Sequence, residues 1–157
     1  MEALINLAPG TERNALAARF AQAIRANVSG SARKRQQFEQ LRGSVYVVMN
    51  DPAPAVVRAS VAPGWGGALT MRFDLGQLTV HDGLVGVPDL TLRGDPSVIE
   101  GLTELLPVPV GRSSGALSSL RALRWIMRDG GPLKVYGLPS HPRMTLAVLR
   151  VLSRHRW

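Results

Sequence analysis

The sequence predicts an α+β fold, with a small, twisted and mainly antiparallel sheet of about five or six strands covered by helices. Apolar and polar residues alternate in short runs across residues 44–93, as they do in strands with one buried face. The segments before and after this region repeat their apolar residues every three or four positions, which is typical of amphipathic helices. Helices and strands segregated in this way along a chain indicate an α+β domain.

Length and composition bound the kind of protein. The chain has 157 residues, which fits one domain with a hydrophobic core of its own. It is 45% hydrophobic but only 5% aromatic, so we expect a mostly aliphatic interior. It has no cysteine, which excludes a disulfide scaffold, a thiolate nucleophile and a cysteine-bound zinc ion.

The N-terminal region has no basic residue before its short apolar run, so we expect no signal peptide. No uncharged run reaches the ~20 apolar residues that a membrane span needs. Both observations favour a soluble protein of the cytoplasm.

The net charge of +8 and the isoelectric point near 11.4 favour anionic partners, such as nucleic acid, anionic lipid or an acidic protein. Nearly all of the positive charge is arginine. A biased genome base composition would give the same enrichment, so charge alone leaves both interpretations open.

Two helices are predicted before the strands. The first covers residues 11–28, with Thr11 as its N-cap and a row of apolar side chains at spacing four: Leu16, Phe20 and Ile24. The second covers residues 32–41 and turns Phe38 and Leu41 inward. The basic run at residues 33–35 is interpreted as a solvated face.

The strands are predicted at residues 44–49, 55–62, 68–75, 77–81 and 89–93, with turn residues between most of them. We expect consecutive strands to pair as an antiparallel meander. The division of the chain that follows is an N-terminal helical segment at residues 1–42 and an α+β domain at residues 43–157, within a single domain overall.

After the strands, Asp95 is predicted to cap a helix over residues 96–106, with Pro96 at its first position. A serine-bearing loop precedes a further helix at residues 116–129. A short strand at residues 133–136 then leads to a last helix that begins at Pro142. This last helix has a wide apolar arc, formed by Met144, Val148, Leu149, Val151 and Leu152.

The order of these elements resembles the sterol carrier protein type 2 family over residues 41–152. The resemblance is carried by Leu69-Thr70-Met71-Arg72-Phe73-Asp74, by Pro88-Asp89-Leu90-Thr91-Leu92-Arg93-Gly94-Asp95 before a capped helix, and by Gly131-Pro132-Leu133-Lys134-Val135-Tyr136-Gly137 before an apolar helix. It implies a hydrophobic tunnel between sheet and helices that holds a fatty-acyl chain, a sterol or a similar lipid. It implies no catalysis and no cofactor other than a bound lipid or fatty acid.

The residues expected to line such a tunnel come from three helices: Leu102, Leu105, Leu106, Leu120, Leu123, Met127, Met144, Val148, Leu149 and Leu152. Plain core packing is the alternative for each of them. A second set on the helix at residues 116–129 combines cations with apolar side chains on one face: Leu117, Arg121, Arg124, Trp125 and Arg128. This set is expected to contact an anionic membrane surface, and a solvated helix is the alternative.

Catalytic and metal chemistry find little support in the sequence. His81-Asp82 resembles one dyad of metal phosphohydrolases, but the other two histidines lie far along the chain, so we interpret it as a turn. The loop Arg112-Ser113-Ser114-Gly115 lacks the Gly-x-Ser-x-Gly spacing of a nucleophile elbow. We therefore expect neither an enzyme nor a metal site.

Two functions remain, and they belong to different classes. The first is a lipid-binding or lipid-carrier protein, either a monomer or a homodimer. The second is a basic nucleic-acid-binding protein, which the charge favours but the lack of a helix-turn-helix or RNA-binding aromatic motif disfavours.

Overall fold

A computed structural model describes residues 4–50, 67–102 and 133–153. The strands are β1 (Leu4–Leu7), β2 (Arg42–Met49), β3 (Ala68–Asp74), β4 (Gln77–Asp82), β5 (Leu90–Gly94) and β6 (Leu133–Tyr136). The helices are α1 (Ala15–Ser29), α2 (Ala32–Gln40), α3 (Pro96–Gly101) and α4 (Pro142–Leu152), and a 3₁₀ turn (Thr11–Arg13) precedes α1. The predicted strand at 55–62 and helix at 116–129 lie outside the described residues.

The six strands form one open sheet in the order β1-β4-β3-β2-β5-β6. Three neighbouring pairs are antiparallel, namely β2–β3, β3–β4 and β5–β6, whereas β1–β4 and β2–β5 are parallel. The prediction of an α+β fold with a mainly antiparallel sheet of five or six strands is confirmed.

Side chains of the sheet separate by type onto two faces. The inner face is apolar and buried, and its members include Val45, Val47, Leu69, Met71, Phe73, Leu78, Val80, Leu90 and Leu92. The residues between them point to the outer face, which is mostly polar. This is the predicted alternation, with Phe73 turned inward and Arg72 outward.

Helices α1, α2 and α4 pack on one another over the inner face, while α3 packs against β2 and β5. Phe20, Ile24 and Val28 of α1 join one continuous core cluster with the inner face. The ring of Phe38 from α2 meets the ring of Phe73 edge to face, with centroids 6.1 Å apart. Leu41 is buried as predicted.

The meander prediction holds for β3 and β4, which are consecutive antiparallel neighbours, and is wrong for β2 and β5. It places β2 beside a strand at 55–62, whereas the two neighbours of β2 in the sheet are β3 and β5. Instead of pairing with β4, β5 crosses to the far side of β2 and pairs with it in parallel, with Val45 opposite Leu90. The connection, residues 83–89, runs over the outer face of β3 and β2, and we call it the strap. Seven residues are ample for the roughly 15 Å of three strand spacings.

The predicted start of α1 is also wrong. The helix begins at Ala15, and Asn14 is its N-cap, because the Asn14 Oδ1 atom accepts a hydrogen bond of 3.0 Å from the backbone N–H of Ala17. Thr11 instead lies in the 3₁₀ turn, where its hydroxyl oxygen accepts from the backbone N–H of Asp82 at 3.1 Å. Asn14 Nδ2 donates to the Asp82 carboxylate at 2.6 Å. These contacts join the start of α1 to the end of β4.

Candidate functional site

Five of the predicted tunnel-lining residues lie in the described chain. Leu102, Val148 and Leu152 are buried members of the core cluster, and Met144 is half-buried and packs against it. Leu149 is 6% exposed, yet it is not part of that cluster of described residues. The structure thus brings the apolar arc of α4 into the interior, while its lining of a tunnel stays a prediction.

The other predicted site residues fall in the segment 103–132, outside the described residues. They are the tunnel candidates Leu105, Leu106, Leu120, Leu123 and Met127, and the membrane candidates Leu117, Arg121, Arg124, Trp125 and Arg128. Both roles stay predictions.

α4 carries four of the five described candidate residues, and its sequence explains where it begins. Pro142 occupies the first turn, where a missing N–H leaves no hydrogen bond unmade. Thr145 is fully buried, and its hydroxyl donates back to the backbone oxygen of His141 at 2.9 Å. The buried hydroxyl of Thr145 is therefore satisfied within the helix itself.

The N-terminal end of α4 contacts the sheet through Asp89. One carboxylate oxygen of Asp89 accepts from the backbone N–H of Ser44 at 2.8 Å, and the other lies 3.9 Å from Nε2 of His141. Gly43 passes so close to Met144 that a Cβ atom there would lie 2.8 Å from the Met144 methyl group. Gly137, at φ +89°, passes even closer to the backbone oxygen of Asp89. Both glycines are needed for this close packing.

The C-terminal end of α4 is capped by side chains from the other two helices. Asn27 of α1 donates through Nδ2 to the backbone oxygens of Val151 and Leu152, at 2.9 and 2.8 Å. Lys34 of α2 donates through Nζ to the backbone oxygen of Ser153. Carbonyls at a helix end lack partners within the helix and attract cations and donors.

Lys34 contradicts its prediction as a solvated residue, since it is only 6% exposed. The reason is this contact with Ser153, which draws the ammonium into the interface between α2 and α4. Desolvation by burial lowers the pKa of Lys34 below its ordinary value of 10.5. The sequence gives no signal for these roles of Asn27 and Lys34, because their partners lie more than a hundred residues away.

The interpretation of His81-Asp82 as a turn is wrong, since both residues belong to β4 and pair with Thr70 and Leu69 of β3. Asp82 is instead a structural anchor, because it bonds to Asn14 and Thr11. Within residues 4–50, 67–102 and 133–153, no group of three or more His, Asp or Glu side chains could hold a metal ion. In the same residues, no helix is long and apolar enough to cross a membrane.

Comparison with known proteins gives matches at the level of structure. No protein-family model matches the sequence, and no curated protein sequence matches it significantly. Among solved structures, it is similar to UbiJ-SCP2, a ubiquinone synthesis protein, at 15% identity and a TM-score of 0.50, covering 83% of each chain.

Two further solved structures align at lower scores. A sterol carrier protein 2 aligns with 16% identity and a TM-score of 0.49, over 88% of this chain and 92% of its own. A conserved hypothetical protein from Thermus thermophilus aligns with 18% identity and a TM-score of 0.42, over 85% and 83%. The resemblance in sequence and the alignment with UbiJ-SCP2 agree: the chain has the fold of the sterol carrier protein type 2 domain.

Proposed function

We propose that this chain is a lipid-binding carrier protein that holds an acyl, sterol-like or isoprenoid lipid in an apolar tunnel between the sheet and the helices. The protein performs no catalysis of its own in this proposal. The observation that carries it is the sterol carrier protein type 2 fold, with an apolar helix, α4, turned into the interior. The name of one structural neighbour, a ubiquinone synthesis protein, makes an isoprenoid quinone precursor a natural candidate ligand.

Leu149 is the described residue chosen to test this proposal. It is buried on α4, within the apolar arc that the proposal places against the lipid. A larger side chain at this position therefore competes with the proposed ligand for the same space.

The test is native mass spectrometry of protein purified without detergent. The wild-type protein is expected to retain a lipid mass, and Leu149→Trp is expected to lose it because the indole fills the tunnel. Leu146→Trp, a half-buried position on the same helix, is the matched control and should keep the lipid.

Thermal unfolding of both variants is measured alongside, since overpacking costs about 1–3 kcal/mol. A wild-type protein that carries no lipid, and that binds neither a fluorescent fatty acid nor an isoprenoid probe, would contradict the proposal.

A further inference from the structure

The strap presents three exposed apolar side chains within four residues. Leu84 is 56% exposed, Val85 is 46% exposed and Val87 is 86% exposed. We call these three residues the apolar ridge. Single exposed apolar residues are ordinary on a protein surface, whereas neighbouring ones form an apolar patch that is suited to contact a partner.

Hydrogen bonds hold the strap on the outer face. The Thr70 hydroxyl donates to the backbone oxygen of Gly83 at 2.8 Å and accepts from the N–H of Val85 at 3.0 Å. The Tyr46 hydroxyl donates to the backbone oxygen of Gly86 at 2.5 Å. At the far end, the N–H of Asp89 donates to Ser44 O at 2.9 Å. The backbone is thus fastened to β3 and β2, and the ridge side chains stay between 46% and 86% exposed, with Val85 and Val87 also at the wall of the cleft between the strap and the strands.

Cations flank the ridge on both sides. The strap crosses the sheet above the row of Thr70 and Tyr46, which are cross-strand partners. Arg72 lies two residues after Thr70 on β3. Arg42 of β2 lies one row further in the same direction, where it is the cross-strand partner of Asp74.

On the other side of that row, Arg93 of β5 and Lys134 of β6 are cross-strand partners. All four cations are exposed on the outer face. Successive rows on one face are about 7 Å apart, so Arg72 lies one row from Thr70 and Tyr46 and Arg42 two rows, while Arg93 and Lys134 lie one row away in the opposite direction.

These four cations keep their charge available. Within the described residues, Arg42, Arg72 and Lys134 make no ion pair, and Arg93 donates only to the neutral side-chain oxygen of Asn50. Three carboxylates lie near these cations. Asp89 already accepts from the Ser44 N–H, Asp74 is the cross-strand partner of Arg42, and Asp95 accepts from the Nδ2 atom of Asn50, the side chain to which Arg93 donates. A cleft of about 350 Å³ lies between the strap and the strands, with Arg42, Arg72, Asp74 and His81 in its wall.

We propose that the outer face of the sheet is a membrane-docking surface, on which the apolar ridge enters the interface of an anionic bilayer while the flanking arginines and lysine bind the phosphates of its headgroups. A bilayer satisfies both chemistries at once, since its apolar layer lies directly beneath a layer of negative charge. A nucleic acid would satisfy the cations but leave the ridge in water. A second copy of this chain, related by a twofold axis, would set cations against cations.

This proposal rests on described residues alone and does not use the predicted cationic helix at residues 116–129. It deepens the proposed carrier function, because a carrier has to meet a membrane to load and unload. It also orients the molecule, with the sheet towards the bilayer and the helix layer α1, α2 and α4 away from it. Docking and lipid occupancy are measured independently.

The first experiment uses the absence of cysteine in the chain to attach one environment-sensitive fluorophore. Val87→Cys places it on the ridge, and Ala18→Cys places it on the exposed side of α1. With phosphatidylglycerol vesicles at low salt, the emission of the label at position 87 is expected to shift to the blue, and that at position 18 to stay unchanged. The same response at both positions, or none at position 87, would overturn the proposal.

The second experiment is co-sedimentation with the same vesicles, against neutral phosphatidylcholine vesicles. Arg42→Gln/Arg72→Gln is expected to weaken binding to the anionic vesicles about thirtyfold, since each cation near such a surface is worth about fivefold. Arg13→Gln/Arg35→Gln removes the same charge from exposed positions of the helix layer and should have a much smaller effect. Leu84→Ser/Val87→Ser should reduce binding without changing the preference for anionic lipid.

If the two arginine double variants lost the same amount of binding to anionic vesicles, the net charge of the protein and not this face would account for binding. That result would overturn the proposal. The proposal would also be overturned if the ridge variant bound vesicles as the wild type does. So it would be if the ridge substitutions affected only self-association, measured by analytical ultracentrifugation, or only retention on DNA. Native mass spectrometry of each variant separates the two proposals. A ridge variant that retains its lipid but no longer sediments supports docking alone, whereas a lipid-free wild type that still sediments removes only the carrier proposal.

Discussion

The two faces of the sheet are built from the same strands but are covered in opposite ways. The inner face is apolar, and helices α1, α2 and α4 bury it in one continuous core. The outer face is polar and cationic, and the strap crosses it. This difference shows that the alternation of apolar and polar residues along a strand decides only which side chains share a face. What covers that face depends on how the chain returns to the sheet.

The largest effect expected from this comparison concerns two adjacent residues of β3. Phe73 is buried against Phe38, whereas Arg72 is exposed on the outer face. We expect Phe73→Ala to lower the free energy of unfolding by about 3–5 kcal/mol, since it leaves a cavity in the core. Arg72→Ala should change it by about 0.5 kcal/mol or less. Urea denaturation of the two variants measures both, and comparable losses would contradict the division into two faces.

A smaller effect is expected where the strap rests on the sheet. Thr70 is only 1% exposed although it belongs to the outer face, because the strap covers it and uses both hydrogen-bonding functions of its hydroxyl. Thr70→Val should cost about 1–3 kcal/mol, since the N–H of Val85 and the oxygen of Gly83 lose their partner. Thr79→Val, on the same face of β4, is the control and should cost less. Faster hydrogen exchange at the Val85 amide in the Thr70 variant is the second readout, and unchanged exchange there would argue against the strap contact.

The smallest effect is a change with pH in the helix layer. Because burial lowers the pKa of Lys34 in the folded protein, the unfolded chain binds more protons in the interval between that pKa and 10.5. Stability contributed by this group therefore rises with pH through that interval. We expect the wild type to gain stability relative to Lys34→Met as the pH is raised towards 10.5. Lys134→Met, which removes the other lysine of the chain from an exposed position, is the control. A difference between wild type and Lys34→Met that does not vary with pH would contradict the burial of the ammonium.

The faces of the strands could be predicted from sequence because alternation is a local property. Leu69, Met71 and Phe73 were expected on one side of β3 and Thr70 and Arg72 on the other, and the structure agrees. The burial of Thr70 could not be predicted, since it depends on the path of the strap.

The neighbours of each strand were harder to predict. Consecutive strands are adjacent about two-thirds of the time, which favoured a meander and gave the wrong place for β5. The strand β1 was missed because four residues are too few to show a period. Both errors concern parallel pairs, which join segments far apart in sequence.

In the candidate site, too, the features that depend on local sequence could be predicted, and those that depend on distant partners could not. The apolar arc of α4 was predicted because it repeats at helical spacing within eleven residues. The capping of this helix by Asn27 and Lys34 has no local signal, since a polar residue on a helix gives no indication of a partner beyond 100 residues away. Lys34 stood in a basic run and was therefore interpreted as solvated.

The short strand β1 also has a consequence for solubility. It pairs in parallel with β4 at one edge of the sheet, from Leu4 opposite Gln77 to Leu7 opposite Val80. The guanidinium of Arg25 also donates to the backbone oxygen of Ile5 at 2.7 Å. Without these four residues, β4 would become an edge strand with free backbone donors and acceptors beside apolar side chains. Such edges recruit strands from other molecules and lead to aggregation. A protein shortened by its first eight residues should therefore precipitate at concentrations at which the full chain stays dispersed, even if its core remains folded.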